Sequence, residues 1–313
     1  LRLSVTDRCN LRCRYCMPAS GLPKVRHDDL PSIEKLVHAI RWLARECAVD
    51  RGHITGGEPL VRSGIEGLIR MLACEGVTDL ALTTNGQLLA GVAAALKQAG
   101  LHRVNVSLDS LDSKTYADLT RGGDLLKVLQ GIDAALCHGL APVKINTVVL
   151  RGYNDGEVVE LARFALRRGC QIRFLELMPI GCAKSLFHDL FVPSGEVRAS
   201  LERSFSLRPL LHTPGASSRD FIAVDHDGQE GIIGFISPTT QPFCAGCTRV
   251  RLTSTGRIIS CLARGDELHV GSFLRLPFPQ AALRLREAVT AVLDSKTRRS
   301  TFDTSRSMTS VGG

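Results

Sequence analysis

The chain has little aromatic stacking surface: one Trp and three Tyr among 313 residues. A single-strand nucleic-acid binder stacks bases on such rings, so that platform is poorly supplied. Long apolar runs are also missing. No window approaches eighteen uncharged apolar residues, which excludes a membrane-spanning helix. Acidic residues are outnumbered, 31 Asp+Glu against 39 Lys+Arg, for a formal net charge of +8. That excess fits either a basic solvated surface or an anionic partner, a nucleic acid or a phosphorylated small molecule. With 44% hydrophobic and 22% charged residues, disorder over the whole length is excluded. The sequence begins at Leu1 rather than Met, so an upstream targeting peptide would not be seen.

Cysteine, by contrast, is abundant, with eleven in the chain. A small secreted domain would pair them as disulfides, but a chain of this size does not need that support. An odd count also forbids complete internal pairing. Position has to decide their role.

From Leu1 to about Leu175 a β-rich run, a loop and an amphipathic helix repeat. Strands are expected at Leu1–Val5, His53–Thr55, Asp79–Thr83, Arg103–Ser107, Val143–Val149 and Gln171–Leu175. The helices between them are expected at Ile33–Glu46, Gly64–Glu75, Leu88–Ala99, Leu125–His138 and Gly156–Arg168. Such alternation predicts parallel strands joined by right-handed crossovers, as a partial barrel or a doubly wound sheet. Either way, ligands should gather at the carboxyl ends of the strands. Beyond Met178 the pattern predicts a helix near Ser194–Ser204 and a hairpin at Phe221–Ile236 turning through Asp227-Gly228. A cysteine-bearing segment at Phe243–Leu262 and a helix near Gln280–Ser295 follow. Lys296–Gly313, rich in Ser, Thr and Arg, is expected to be mobile.

Six cysteines form two triplets: Cys9, Cys13 and Cys16 after the first strand, and Cys244, Cys247 and Cys261 near the other end. Structural zinc takes four ligands, so each triplet would need a borrowed one. Three thiolates on a cube of four irons leave one iron open to a substrate. The other five, Cys47, Cys74, Cys137, Cys170 and Cys182, read as core or surface thiols.

The stretch Cys9-Asn10-Leu11-Arg12-Cys13-Arg14-Tyr15-Cys16 resembles the signature loop of radical S-adenosylmethionine (SAM) enzymes. Arg2 to Arg8, Met17-Pro18, Thr55-Gly56-Gly57-Glu58-Pro59, Leu82-Thr83-Thr84-Asn85-Gly86 and Asn105-Val106-Ser107-Leu108-Asp109 narrow the match. Adding the second triplet, Lys144-Ile145-Asn146 and the terminal Gly312-Gly313, the whole chain resembles the GTP 3′,8-cyclase family (molybdenum cofactor biosynthesis protein A). The resemblance implies an α/β fold, an incomplete (β/α)6 TIM-like barrel over 1–180. A C-terminal region over 181–313 would carry an auxiliary cluster, a GTP-binding segment and a Gly-Gly tail.

By that resemblance, Cys9, Cys13 and Cys16 hold a [4Fe-4S] cluster that chelates SAM. Tyr15, Gly57, Ser107 and Met178 contact SAM. Cys244, Cys247 and Cys261 hold a second [4Fe-4S] cluster that meets the guanine base. Arg2, Thr83, Lys144, Arg249, Val250 and Arg251 contact GTP, and Arg173 adds a cation by its position. The implied reaction takes hydrogen from C3′ of the ribose and joins C3′ to C8. Gly312 and Gly313 would support catalysis by threading into the site. Where the family has arginine this chain has His53, shorter and largely neutral at pH 7, with Arg51 on the same strand face. The implied partners are GTP, a low-potential electron donor, a second copy in a homodimer and the next molybdopterin-pathway enzyme. Thiolate-held iron needs a reducing compartment, so the expected location is cytoplasmic. Two other readings remain at this point: a radical SAM enzyme modifying a peptide, and a basic zinc-binding nucleic-acid module.

Overall fold

A computed structural model describes residues 1–22, 32–46, 49–75, 77–213, 215–244, 246–263, 267–270, 278–294, 302 and 308. Apolar and polar residues alternate along its first six strands, and side chains alternate with them between the two faces of the sheet. The strands are β1 (Arg2–Ser4), β2 (Arg51–Thr55), β3 (Asp79–Thr84), β4 (Arg103–Ser107), β5 (Lys144–Val148) and β6 (Gln171–Leu175). Leu3, Ile54, Leu80, Leu82, Val104, Val106, Ile145, Ile172 and Phe174 enter the core beneath the helices. Arg2, His53, Thr83, Asn105, Ser107, Lys144, Asn146 and Arg173 therefore share the other face. A closed barrel fills that inner face with branched apolar side chains. Here it is polar, and the space that it faces is termed the chamber.

All six strands run parallel in chain order. Right-handed crossovers then place every intervening helix on one side, and the sheet curls around the other. A doubly wound sheet reverses its order in the middle. That alternative is excluded, and the incomplete six-strand barrel stands.

The helices are α1 (Ile33–Glu46), α2 (Ile65–Cys74), α3 (Ala93–Gln98), α4 (Ser113–Thr120), α5 (Leu125–Cys137) and α6 (Val158–Arg167). In α1, Leu36, Val37, Ile40 and Leu43 form the buried stripe. Asp112 and Asp124 cap α4 and α5 by accepting from Thr115 N at 2.8 Å and Leu126 N at 3.0 Å. The helix expected over Leu88–Ala99 is instead a 3₁₀ turn, Leu89–Gly91, followed by α3. Gly91 and the non-helical Val92 interrupt it.

The rest of the chain continues the same sheet at both edges. After α7 (Ala183–Leu190) and α8 (Ser194–Glu202) come β7 (Phe205–Pro209), β8 (Arg219–Asp225) and β9 (Glu230–Ile236). β9 lies parallel to β6, and β8 and β7 add antiparallel strands outside it. At the other edge β10 (Arg251–Leu252) lies parallel to β1 with Arg251 beside Arg2, followed outward by β11 (Arg257–Ile259) and β12 (Glu267–His269). Helix α9 (Phe278–Asp294) packs beside β11 and β12. The short α4, α7 and β7 were not expected from the sequence pattern. The tail expected to be mobile lies outside the described residues apart from 302 and 308. No described helix is long and apolar enough to cross a membrane.

Candidate active site

The first cysteine triplet sits in the loop that leaves the carboxyl end of β1. Its backbone is tied on several sides. Arg12 N donates to Thr120 O at 3.1 Å and Arg14 N to Leu119 O at 2.9 Å. Arg121 ends α4 in the left-handed region, φ 54°, which is uncommon for a residue with a Cβ. Its Nη1 donates to Arg12 O at 3.1 Å and Met17 O at 2.9 Å, clasping the loop at two points. Gly57 is required where two backbone segments approach closely. A Cβ there would collide with the Arg8 backbone, while Glu58 N donates to Arg8 O at 2.8 Å.

Glu58, quoted only as part of a motif, is a structural centre. It is buried, and its Oε1 accepts from Leu60 N at 3.0 Å and Thr84 Oγ1 at 2.8 Å. Its Oε2 accepts from Asn85 N at 2.7 Å. Asn85 in turn donates through Nδ2 to Asn10 Oδ1 at 2.8 Å and lies 3.8 Å from Cys9 Sγ. Burial pushes the Glu58 carboxyl up to about 7, against the pull of those three donors. Glu58→Gln turns an amide donor toward a backbone N–H. It should destabilise the fold by about 1–3 kcal/mol, measured by denaturant unfolding, and speed iron loss from the loop.

The Tyr15 hydroxyl donates to Asp109 Oδ2 at 2.7 Å, and Val148 N donates to Asp109 Oδ1 at 2.9 Å. Burial raises the Asp109 carboxyl to about 6. Ser107 ends β4 opposite Asn146 of β5, and Met178 follows β6 half-buried. The four residues expected around SAM thus lie at the carboxyl ends of the strands, with the triplet. Cys182, read as a core or surface thiol, is partly buried beside the loop, and its Sγ donates to Arg14 O at 3.6 Å.

Burial and neighbouring acidic groups hold the first-triplet thiols in the neutral form. Cys13 is raised well above its ordinary value, by burial first and then by Cys16, Asp109 and Cys9. Cys16 is pushed up to about 12 by burial, Cys9, Cys182 and Asp109. A bound cation reverses that logic and takes the thiolate. Among the described residues no three His, Cys, Asp or Glu side chains gather tightly enough to hold a single metal ion.

The second triplet lies at the opposite end. Cys247 precedes β10, and Cys261 follows β11, whose Ile259 pairs with Arg251. Both therefore flank the amino end of β10, which runs parallel to β1. Cys244 joins Cys247 through a turn, with Cys247 N donating to Cys244 O at 3.1 Å. Arg249 Nε donates to Cys247 Sγ at 3.4 Å, and its guanidinium stacks 4.6 Å from the Phe243 ring centre.

Between the triplets the chamber wall is cationic. Burial, then Arg249 and Arg173, pull Arg2 down to about 10. Burial, Arg2 and Arg249 pull Arg251 well below its usual value, and Arg251 is 7% exposed. Burial, Arg173 and Arg103 lower Lys144 to about 8. Arg173 is lowered chiefly by burial. Val250 contributes its carbonyl, which accepts from Arg2 N at 2.8 Å, and its side chain packs on the core.

His53 is held neutral: burial, Arg2, Arg103, Arg251 and Arg173 keep it well below its ordinary range. Its Nε2 lies 2.6 Å from Thr83 Oγ1, and Asn105 Nδ2 approaches the two at 3.3 and 3.4 Å. Arg51 shares the strand face of His53 but not its burial. It is exposed at the mouth, 4.0 Å from Asp50. Arg103 is engaged by Asp79 at 3.0 and 2.6 Å. Gly312 and Gly313 lie outside the described residues.

Among known proteins, residues 3–165 match the family model of the radical SAM superfamily, and residues 170–302 match Molybdenum Cofactor Synthesis C. A protein of Geobacter sulfurreducens named GTP 3′,8-cyclase is 44% identical over 301 residues, covering 96% of this chain and 90% of that one. Its namesake in Moorella thermoacetica is 43% identical over 286 residues, covering 90% and 87%. That of Pelotomaculum thermopropionicum is 40% identical over 317 residues, covering 100% and 97%. Among solved structures, SuiB of Streptococcus suis bound to S-adenosylmethionine superposes with a TM-score of 0.64 at 15% identity. The match covers 86% of this chain and 62% of SuiB, and it shows a shared fold.

Proposed function

The chain belongs to the radical SAM superfamily and, within it, to the GTP 3′,8-cyclases, and from that premise we propose which of its residues carry the reaction. The conversion is of GTP to (8S)-3′,8-cyclo-7,8-dihydroguanosine 5′-triphosphate, the first step of molybdopterin biosynthesis. One observation supports the residue assignment above all: two thiol triplets stand at opposite ends of one chamber whose wall carries Arg2, Lys144, Arg173 and Arg251.

The donor sets fit two [4Fe-4S] clusters. Three thiolates at each site suit a cube of four irons that keeps one iron open. Cys9, Cys13 and Cys16 would hold one cluster, and Cys244, Cys247 and Cys261 the other. When bound, the first cluster and SAM supply a 5′-deoxyadenosyl radical by one-electron cleavage of SAM.

The chain's own groups do the rest. Asp109 fixes the Tyr15 ring through its hydroxyl, so the loop residue expected against SAM is oriented before SAM arrives. Gly57, Ser107 and Met178 complete that end. Arg2, Lys144, Arg173, Arg249 and Arg251 present donors to a triphosphate, where guanidinium groups fork onto oxygens. Thr83 and the neutral His53 lie beside them as a hydrogen-bonded pair. The family's arginine charge is therefore absent, and the other cations carry the anion. A low-potential electron donor, a homodimer, transfer of the product to the next pathway enzyme and a reducing cytoplasmic setting belong to the same reading. So does a supporting role for Gly312 and Gly313.

Metal content tests it. Anaerobically isolated protein should carry about eight irons with matching sulfide, two cubes of four. Zinc in their place would refute the assignment and favour a zinc-binding module.

A further inference from the structure

We propose that Asn105 is a substrate-binding residue that hydrogen-bonds a ribose hydroxyl of the nucleotide. This rests on the chamber being the GTP site, as proposed above.

Asn105 is the middle inward residue of β4, 3% exposed. On its own strand Ser107 lies toward the end proposed for SAM, and Arg103 lies toward the other. Its register partners across the sheet are Thr83 on β3 and Lys144 on β5. It therefore occupies the layer between the proposed SAM contacts and the chamber's lower rim.

One end of its amide is used. Nδ2 reaches His53 Nε2 at 3.3 Å and Thr83 Oγ1 at 3.4 Å. The other end, Oδ1, is buried without a hydrogen-bond partner. The neighbouring inward residue on β5, Asn146, has a buried Oδ1 in the same condition. Buried polar atoms in folded proteins are nearly always paired, and an unpaired one calls for an explanation.

The chemistry of the missing partner follows. Of the other groups nearby, His53 and Thr83 are engaged with each other and with Nδ2, and the cations only donate and suit phosphate oxygens. A phosphate oxygen has no proton to give an amide oxygen. A hydroxyl both donates and accepts, so it satisfies this amide whichever way round it lies. In a nucleoside triphosphate those hydroxyls are on the ribose, the part that must lie beneath the SAM end for C3′ to react. The guanine amine and ring N1–H are the rival donors, and contact with either would leave discrimination among the sugars independent of Asn105.

The test measures affinities of GTP, 2′-deoxy-GTP, 3′-deoxy-GTP and inosine triphosphate for the cluster-loaded protein under anaerobic conditions. Wild-type protein should prefer GTP over one deoxy analogue by roughly tenfold, the contribution of one buried hydrogen bond. In Asn105→Leu that preference should collapse to within about twofold, with discrimination against inosine triphosphate unchanged. Asn105→Ala, which introduces no bulk, should give the same collapse if the leucine variant folds poorly. An equal loss for GTP and both deoxy analogues would show a merely structural role through His53 and Thr83, and would overturn the proposal. So would a loss of discrimination against inosine triphosphate, or unchanged discrimination among the sugars. Wild-type protein that binds no GTP would overturn the chamber assignment itself.

Discussion

Replacing Cys13 with alanine should abolish 5′-deoxyadenosine formation and remove about half the iron, four of about eight atoms. Cys13 is held protonated by burial, Cys16, Asp109 and Cys9, so only a cluster's positive charge makes it a ligand. Two remaining thiolates in a loop cannot retain a cube that already has an open corner. GTP affinity should survive, because Arg2, Arg249 and Arg251 gather at the other triplet. Cys247→Ala is the reciprocal case. It should also cost about four irons, yet leave SAM cleavage running without cyclised nucleotide. Equal loss of all iron in both variants would contradict two separate clusters.

Replacing Lys144 with methionine should move stability and affinity in opposite directions. Burial, Arg173 and Arg103 hold Lys144 down to about 8. An unfolded lysine sits near 10.4. Between those values the unfolded chain binds more protons, so stability rises with pH across that window. Below about 8 the charged side chain is a standing penalty in the GTP-free protein. Lys144→Met should therefore melt a few degrees higher at pH 7, with that gain shrinking by pH 10. Its GTP affinity should fall by about 10–100-fold, the loss of one charge-assisted contact to phosphate. Wild-type affinity should decline as pH rises above about 8, with proton uptake on binding seen by calorimetry. The variant should show neither effect. A variant that binds GTP like the wild type would remove Lys144 from the site.

The six-strand repeat was visible in the sequence because each unit carries its own local signals. The inward set was visible as well, in Arg2-Leu3-Ser4, Asn105-Val106-Ser107 and Lys144-Ile145-Asn146, where one apolar residue faces the helices between two polar ones. What composition could not show is which charges the fold buries. Glu58 and Asp109 look like surface carboxylates until the carboxyl ends of β3 and β5 close over them. Arg121 looks like one arginine among many, yet its left-handed backbone aims it at the cysteine loop. The pairing of β10 with β1 depends on residues from opposite ends of the chain, so no local signal puts Arg251 beside Arg2. Conversely, strand periodicity placed Arg51 on the face of His53, but the strand's open end leaves it in solvent.

The central claim is that one chamber holds GTP between a SAM-cleaving end and a second thiol triplet. The most direct test incubates anaerobically reconstituted protein with SAM, GTP and a low-potential reductant, then separates the nucleotides by chromatography before mass spectrometry. Separation matters because the cyclised product has the same mass as GTP: the hydrogen lost from C3′ is replaced by a proton and an electron. The account predicts 5′-deoxyadenosine together with an equal amount of a GTP isomer at a new retention time. Deoxyadenosine accumulating while GTP is recovered unchanged would contradict it.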